Sequence, residues 1–255
     1  EYSMLDGLSK IHKLVARAHE MEMDALAITD HGAMYGVVEF YTACQEAGIK
    51  PIIGSELYVA PGLHTERSSS DRSPFHLTVL AQNNTGYRNL MQLVTKANLE
   101  GFYYKPRISK ELLAEYGDGL IVLSGCPSAE MSRLVMDGNI KEAEELVRWY
   151  QASVPHFYLE LQRHGNLPFL DGLNAGLLGI AERLNVPVVA TNDLHYVDEQ
   201  DAPLQDVMVC VQTNTNVNDE SRMKFSDDSY FLKAPAEMEA LFADLPEAIA
   251  STRQI

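Results

Sequence analysis

The sequence is poor in cysteine and has no long apolar run. Its three cysteines, Cys44, Cys126 and Cys210, are odd in number and far apart, which argues against a disulfide framework and for a reducing cytoplasm. No apolar run is long enough to span a bilayer, and no secretory signal is visible. These features predict a cytoplasmic protein that makes no membrane contact.

Basic residues are also scarce. The 20 Lys and Arg residues stand against 36 Asp and Glu residues, so the formal net charge is −16. A surface this acidic repels nucleic acid in general. The exception is a cluster of carboxylates around bound cations, because the cations neutralise it locally and let it attract phosphate. The sequence also lacks a G-x-G-x-x-G motif and a phosphate loop, which disfavours a nucleotide-binding open sheet.

Apolar runs of strand length alternate with helical patterns along most of the chain. This rhythm predicts an α/β protein with a mostly parallel sheet, and a closed barrel and an open doubly wound sheet both fit it. Residues 61–74 predict a mobile loop, and residues 203–255 predict a closing extension. The predicted strands are 25–29, 50–59, 75–81, 119–124, 157–161, 186–191 and 230–232, and the predicted helices are 8–24, 37–47, 85–99, 109–115, 139–151, 170–184 and 235–242.

Side chains that bind metals or protons follow many of these strands. Asp193 and His195 are two residues apart, so on an extended chain they project from one face. In parallel α/β folds the carboxyl ends of the strands converge on one face, where the functional site lies. The strand-end residues are Asp30, His31, Glu56, Cys126, His164, Asp193 and His195; His76 begins its strand, and Asp6 lies in a turn near the start of the sequence.

A set of His, Asp, Glu and Cys side chains suits zinc, manganese or iron and is too rich in nitrogen for calcium. It offers more ligands than one tetrahedral ion uses. We therefore predict two or three divalent ions that share carboxylates, an arrangement suited to phosphoester hydrolysis. Two members have ordinary alternative readings, because Cys126 is also explained as a buried apolar thiol and Asp6 as a turn or capping residue.

Several short motifs resemble those of the polymerase and histidinol phosphatase (PHP) domain family. They are Leu5-Asp6-Gly7, Ile28-Thr29-Asp30-His31-Gly32, Gly54-Ser55-Glu56, Phe75-His76-Leu77, Ser124-Gly125-Cys126 and Thr191-Asn192-Asp193-Leu194-His195-Tyr196. The resemblance implies a distorted seven-stranded (βα)7 barrel with up to three metal ions. Carried over position by position, it implies the ligands Asp6, His31, Glu56, His76, Cys126, Asp193 and His195.

The segments 48–54, 99–107 and 124–126 are most similar to the PHP domains at the amino end of bacterial replicative polymerase III alpha subunits. The resemblance implies a metal-dependent 3′–5′ proofreading exonuclease acting on single-stranded DNA 3′ ends. The implied partners are the rest of a polymerase chain and a proofreading or clamp subunit. It also implies a PHP barrel over residues 1–202 and an extension over 203–255 that leads to the polymerase core.

The family begins with a His-x-His pair that has no counterpart in the printed sequence, which starts at Glu1. The resemblance therefore implies that at least one ion binds weakly to this chain and that its activity is impaired.

Other roles are open at this point. A non-catalytic metal-binding module that stabilises a polymerase and docks its partners fits the same residues, and the polymerase-like segments disfavour a small-molecule phosphatase. Asp30 is expected to orient a ligand, while His164 and Arg107 are candidates to contact phosphate, although a structural role explains either equally well. The aromatic and basic loop 102–107 suits stacking on single-stranded DNA or packing against a neighbouring domain.

Overall fold

A computed structural model describes residues 1–165, 167–225 and 227–255 of the chain. The strands are β1 Ala25–Ile28, β2 Lys50–Val59, β3 Phe75–Ala81, β4 Arg107–Ile108, β5 Leu120–Leu123, β6 His156–Gln162 and β7 Val188–Thr191. The helices are α1 Ile11–Glu20, α2 Val37–Ala47, α3 Asn84–Leu99, α4 Lys110–Glu115, α5 Glu130–Met136, α6 Ile140–Ser153, α7 Phe169–Leu184, α8 Ala202–Thr213, α9 Pro235–Leu241 and α10 Pro246–Gln254.

The strands form one curled sheet in the order β1-β2-β3-β5-β6-β7, with β4 pairing beside β2. This half-barrel confirms the predicted α/β class and the predicted distorted barrel. The sheet is parallel except at β3, which runs antiparallel to both β2 and β5. The reason is local: β2 and β3 are joined by an irregular loop rather than by the crossover helix that a parallel pair needs.

The core fills the space between the sheet and its outer helices. Val122 on β5 and Leu159 on β6 are fully buried in the largest cluster, together with Leu93 of α3 and Ile180 of α7. Such continuously apolar central strands are expected when helices cover the outer face of a parallel sheet. A second cluster packs α1 against α2 through residues such as Ile11 and Phe40. The packing fixes the strands, and thereby their carboxyl ends.

The last fifty residues pack against the open side of the sheet. Helix α10 lies on β7, and the predicted strand at 230–232 is reduced to a single bridge between Tyr196 and Phe231. Sequence patterns missed α5, α8 and α10, because each is short or only weakly amphipathic. In the part of the chain that the structure describes, no helix combines the length and apolarity needed to cross a membrane.

Candidate metal centre

Three side chains meet beside the end of β1. His31 follows β1, and Asp6 lies in the turn before α1. Oδ1 of Asp6 is 3.0 Å from Nε2 of His31, and Oδ2 of Asp6 is 3.9 Å from Nε2 of His195. Their ligand atoms form one compact group of possible metal donors. The amino-terminal turn and the ends of β1 and β7 therefore contribute to one site, as the strand-end argument predicts.

The local backbone directs His195 towards this group. Its Nδ1 is 2.6 Å from the backbone carbonyl of Asp193, so Nδ1 carries the proton and donates. Nε2 then keeps its lone pair and faces Asp6. This is how second-sphere hydrogen bonds commonly set the tautomer of a metal-binding histidine.

A second group forms around β2 and β3. Oε1 of Glu56 is 2.6 Å from Nδ1 of His76, and the same Nδ1 is 3.5 Å from Sγ of Cys126. These three residues form the other compact group of possible donors. Cys126 reaches it because Gly125 has φ +86°, a left-handed turn that a residue with a side chain adopts only at a cost.

The two groups touch through His31 and Glu56. Nδ1 of His31 is 3.1 Å from Oε1 of Glu56, and the two residues also form a backbone bridge. Both atoms are buried, yet neither has a hydrogen-bond partner of acceptable geometry among the described residues. Buried polar atoms without a partner are rare, so the environment of these two atoms fits a bound cation.

Asp193 lies beside the first group, with its Oδ1 3.8 Å from Nδ1 of His195. It has φ +49°, in the left-handed region, where Asp is one of the few residues found with some frequency. Burial raises the pKa of its carboxyl, with His195 opposing the rise and Glu56 adding to it. The compact donor groups do not include Asp193, although its charge acts on residues of both. A carboxylate in this position is suited to bridging two ions.

The electrostatics of the centre are dominated by buried carboxylates. Burial alone would lower the pKa of His31, but the Asp6 and Glu56 carboxylates beside it raise the pKa well above its ordinary value. Burial alone would raise the pKa of Glu56, but the neighbouring His31 and His76 lower it. A proton held by His31 between two carboxylates balances negative charge that a bound divalent cation would balance instead.

The thiol of Cys126 is governed by burial, which raises its pKa well above the ordinary value, with the charges of Asp193 and Glu56 adding to the effect. A thiol ligates metals as the thiolate. Metal binding at this position would therefore displace a proton.

The donor set fits first-row divalent ions. Bonds of about 2.0–2.3 Å in a tetrahedral shell place donor atoms roughly 3.3–3.7 Å apart. The donor separations of 3.0 and 3.9 Å around Asp6 bracket that range, and of the separations around His76 the 3.5 Å distance to Cys126 lies within it while the 2.6 Å distance to Glu56 is shorter. The residues that would hold such ions are the seven named above: Asp6, His31, Glu56, His76, Cys126, Asp193 and His195.

Asp30 lies behind His31 rather than among the donors. Its Oδ1 accepts a hydrogen bond from Oγ of Ser3 at 2.7 Å, and the same Oγ accepts from the backbone N–H of His31 at 3.1 Å. Asp30 therefore acts on the backbone of His31 through Ser3, which is the kind of orienting position expected of it.

His164 lies one layer away from the donors. Its ring stacks on Tyr230 at 4.1 Å, and Tyr230 in turn contacts His195 edge-on at 5.6 Å. Burial lowers the pKa of His164 to about 4, helped by the nearby charge of Lys233. Its role as a phosphate contact stays a prediction, since Tyr230 separates it from the donor groups.

The geometry argues against the catalytic role predicted for Arg107, which is a correction. Its side chain is fully buried. Its donors go to the backbone carbonyls of Gly101, Asp71, His64 and Glu66, and the guanidinium also faces the Asp71 carboxylate at 3.8 Å. A guanidinium has five N–H donors, so Arg107 has no free edge for phosphate and serves to anchor loops.

Two buried charged residues near the centre were missed. Glu160 on β6 accepts hydrogen bonds from Thr78, Gly125 and Thr191, and burial raises its pKa to about 7. The sequence carried a signal for Glu160, because a single carboxylate within an apolar strand is unusual and indicates a specific role. Lys233 donates to Oδ1 of Asn192 at 2.7 Å and had no sequence signal of this kind.

Comparisons with known proteins agree with these features. A family model described as the PHP domain matches residues 1–164. The DNA polymerase III subunit alpha of Treponema pallidum (strain Nichols) is 44% identical over 258 residues, which cover 100% of this chain and 22% of that protein. The protein of the same name from Borreliella burgdorferi is 40% identical, with the same coverage. The chain thus spans 22% of the length of these relatives.

Similar folds occur among solved structures of distant sequence. An amidohydrolase from Chromobacterium violaceum, solved with bound sulfate and no metal, superposes with a TM-score of 0.50 at 16% identity. The match covers 76% of this chain and 85% of that one. At this identity the likeness supports the fold alone.

Proposed function

This chain belongs to the PHP domain family, and from that premise we propose that it is the multi-metal phosphoesterase domain of a DNA polymerase III alpha subunit. The observation that carries the proposal is the pair of donor groups joined at His31 and Glu56. One group alone would suit a structural ion. Two groups that meet at His31 and Glu56, with the half-buried carboxylate of Asp193 beside His195, suit chemistry at a phosphoryl centre.

We propose that two or three divalent ions, zinc, manganese or iron, are held here. When bound, they would supply an activated water and positive charge for the phosphoryl oxygens. The chain's own residues supply the rest of the environment. Asp30 holds the backbone of His31 through Ser3, and the Asp193 carbonyl fixes the tautomer of His195. The largely buried positions of Asp6, Glu56 and His195 strengthen charge interactions around them.

The proposed substrate is the 3′ end of single-stranded DNA, cleaved as a 3′–5′ exonuclease. The support is the similarity of the whole chain to polymerase subunits together with a site chemistry that suits phosphodiesters. The rest of a polymerase chain would be its neighbour, with a proofreading or clamp subunit as a further partner. Residues 1–202 would form the barrel and residues 203–255 the link to the polymerase core.

The test is nucleotide release by the complete natural protein that carries this chain. A 5′-labelled single-stranded oligonucleotide is incubated with Mn²⁺ or Zn²⁺ and no deoxynucleotides. We expect stepwise shortening from the 3′ end that EDTA abolishes. Glu56→Gln should lower the rate at least a hundredfold, because Glu56 contacts both donor groups. Lys141→Gln, an exposed residue on α6, is the matched control.

A protein that binds its metals fully but leaves the oligonucleotide intact would refute the exonuclease proposal. The specific alternative is a structural metal-binding module. One observation favours it: the same residues also tie backbone elements together, since the N–H of Leu8 donates to the carbonyl of His195 at 2.7 Å. An Asp193→Ala, His195→Ala double variant that loses thermal stability while proofreading stays intact would support that alternative.

A further inference from the structure

The loop that carries β4 lies against the candidate metal centre. A Cβ added to Gly32, next to His31, would approach Cγ of Pro106 to 2.8 Å. The ring of Tyr58 lies 5.3 Å from the His76 ring and 6.3 Å from the His31 ring. The ammonium of Lys105 stands 5.3 Å above the centre of the same Tyr58 ring. Lys105 is therefore separated from the donor groups by one aromatic ring.

The turn beside Lys105 presents an exposed aromatic side chain. The N–H of Tyr103 donates to the carbonyl of Lys105 at 3.0 Å, which closes a tight turn with Tyr104 at its tip. Tyr104 has φ +60°, a left-handed conformation that is costly for a bulky residue. Its ring is nonetheless 62% exposed, and the guanidinium of Arg72 lies 5.5 Å from it. A strained backbone at Tyr104 that leaves its aromatic ring exposed points to a binding role for that ring.

Arg107 holds the two loops in place. Its buried guanidinium donates to carbonyls of His64, Glu66 and Asp71 in the β2–β3 loop and of Gly101 in the loop before β4. Arg72 comes from the first loop, and Tyr104 and Lys105 come from the second. Arg107 therefore holds the two loops at a fixed separation. We call Arg72, Tyr104 and Lys105 the aromatic rim.

The two cations of the aromatic rim face aromatic rings. Arg72 lies 5.5 Å from the centre of the Tyr104 ring, and Lys105 lies 5.3 Å from the centre of the Tyr58 ring. Among the described residues, no carboxylate lies within salt-bridge distance of either cation, so both are available to an anionic ligand. Unpaired cations interleaved with exposed rings are the pattern by which proteins hold single-stranded nucleic acid.

We propose that the aromatic rim binds the non-reacting part of a single-stranded nucleic acid whose terminal phosphodiester lies at the metal centre. A base stacks on Tyr104, while Lys105 and Arg72 contact backbone phosphates. The proposal rests on the phosphoesterase function proposed above and names the residues that would hold the strand away from the reacting phosphodiester. Since Lys105 and His76 both lie 5.3 Å from the Tyr58 ring, they are no more than about 11 Å apart, a span of roughly three phosphates along a stacked strand.

The first experiment compares two substrates of the complete protein. We measure kcat/KM for a single-stranded oligonucleotide and for bis(p-nitrophenyl) phosphate, a diester too small to reach the aromatic rim. Tyr104→Ala should lower the oligonucleotide-to-small-diester ratio of kcat/KM by roughly 5- to 150-fold, the range for loss of one base stack. The loss should appear in KM rather than in kcat.

Charge removal gives a second signature. In Arg72→Gln, Lys105→Gln the slope of log KM against log salt for the oligonucleotide should fall by about 1.4, because each phosphate contact on a single strand contributes about 0.7. The matched controls are Tyr41→Ala, an exposed ring on α2, and Lys141→Gln. An unchanged ratio and an unchanged salt slope in the rim variants would overturn the proposal and assign the rim to packing against another protein segment.

Photo-cross-linking separates the two proposals. A single-stranded oligonucleotide with 5-bromouracil near its 3′ end is irradiated with the complete protein, and the attached peptide is identified by mass spectrometry. Attachment at Tyr103 or Tyr104, lost in Lys105→Gln, supports the aromatic rim even if neither substrate is hydrolysed, in which case only the phosphoesterase function fails. Attachment elsewhere, with none in peptide 99–107, overturns the rim.

Discussion

Glu160 offers a test of the electrostatics beneath the metal centre. The carboxyl is buried on β6 and is surrounded by donors, with the hydroxyl of Thr191 at 2.6 Å and the N–H of Gly125 at 3.1 Å. Burial raises its pKa from 4.5 to about 7, opposed by Thr191 and reinforced by the charges of Asp193 and Glu56. The perturbation we choose is Glu160→Gln, which keeps the shape and removes the titration.

The size of the effect on stability follows from the difference between the folded and unfolded pKa of Glu160. A group whose pKa is raised in the folded state stabilises the protein fully below its unfolded value, and this contribution is lost as the pH rises through the folded value. For Glu160 the window runs from about pH 4.5 to about pH 7. Each pKa unit corresponds to about 1.4 kcal/mol, so the wild type should lose about 3 kcal/mol across this window because of this carboxyl.

The assay is urea unfolding of the 255-residue chain in EDTA, followed by circular dichroism at pH 5 and pH 8. EDTA is needed because a bound cation would lower the pKa of Glu160. The free energy of unfolding of Glu160→Gln should fall less between these pH values than that of the wild type, by about 2.5 kcal/mol, since pH 5 already lies inside the window. Glu142→Gln on α6 is the control. Parallel pH profiles for wild type and Glu160→Gln would refute the reasoning.

Three further predictions address the fold and the donors. Arg107→Ala should lower the free energy of unfolding by about 3–5 kcal/mol, since it removes a buried charge that satisfies four carbonyls. Urea unfolding measures the loss, and faster proteolysis within residues 61–74 would show that the loop is released. Unchanged proteolysis of that loop would contradict the anchoring role of Arg107. Gly54→Ala should cost about 1–3 kcal/mol, because its Cβ would lie 2.5 Å from Cδ2 of Leu80 and 2.7 Å from the Val79 carbonyl; an unchanged urea midpoint would contradict this. Cys126→Ser should weaken zinc binding at least tenfold and manganese binding less, because thiolate prefers the softer ion. Competition with a chelator measures both affinities, and an unchanged zinc affinity would contradict Cys126 as a ligand.

The residues that sequence patterns located best are those placed by strand geometry. His31 and Glu56 follow or end apolar strands, and parallel β1 and β2 bring them to the same edge. Asp193 and His195 were paired by spacing alone, although Asp193 in fact turns into a left-handed conformation. Periodicity also predicted most helices to within a few residues, because their apolar faces meet a covered sheet.

Other features depend on contacts that no local pattern carries. Arg107 looked like a phosphate contact because it lies in a basic loop, yet its neighbours are carbonyls that arrive from residues more than thirty positions away. The antiparallel direction of β3 follows from the loop that precedes it, which sequence predicted to be merely mobile. The pKa of Glu160 depends on residues from three other strands or strand ends, so its environment exists only in the folded chain.

The central claim is that two joined groups of three donors each, with Asp193 as a seventh donor beside them, hold divalent ions. The most direct test is an anomalous-difference map from crystals of the complete protein, recorded at the manganese, iron and zinc edges. We predict one peak among Asp6, His31 and His195 and another among Glu56, His76 and Cys126, each about 2.0–2.3 Å from its donor atoms. Metal-soaked crystals that show no peak at either group would contradict the claim.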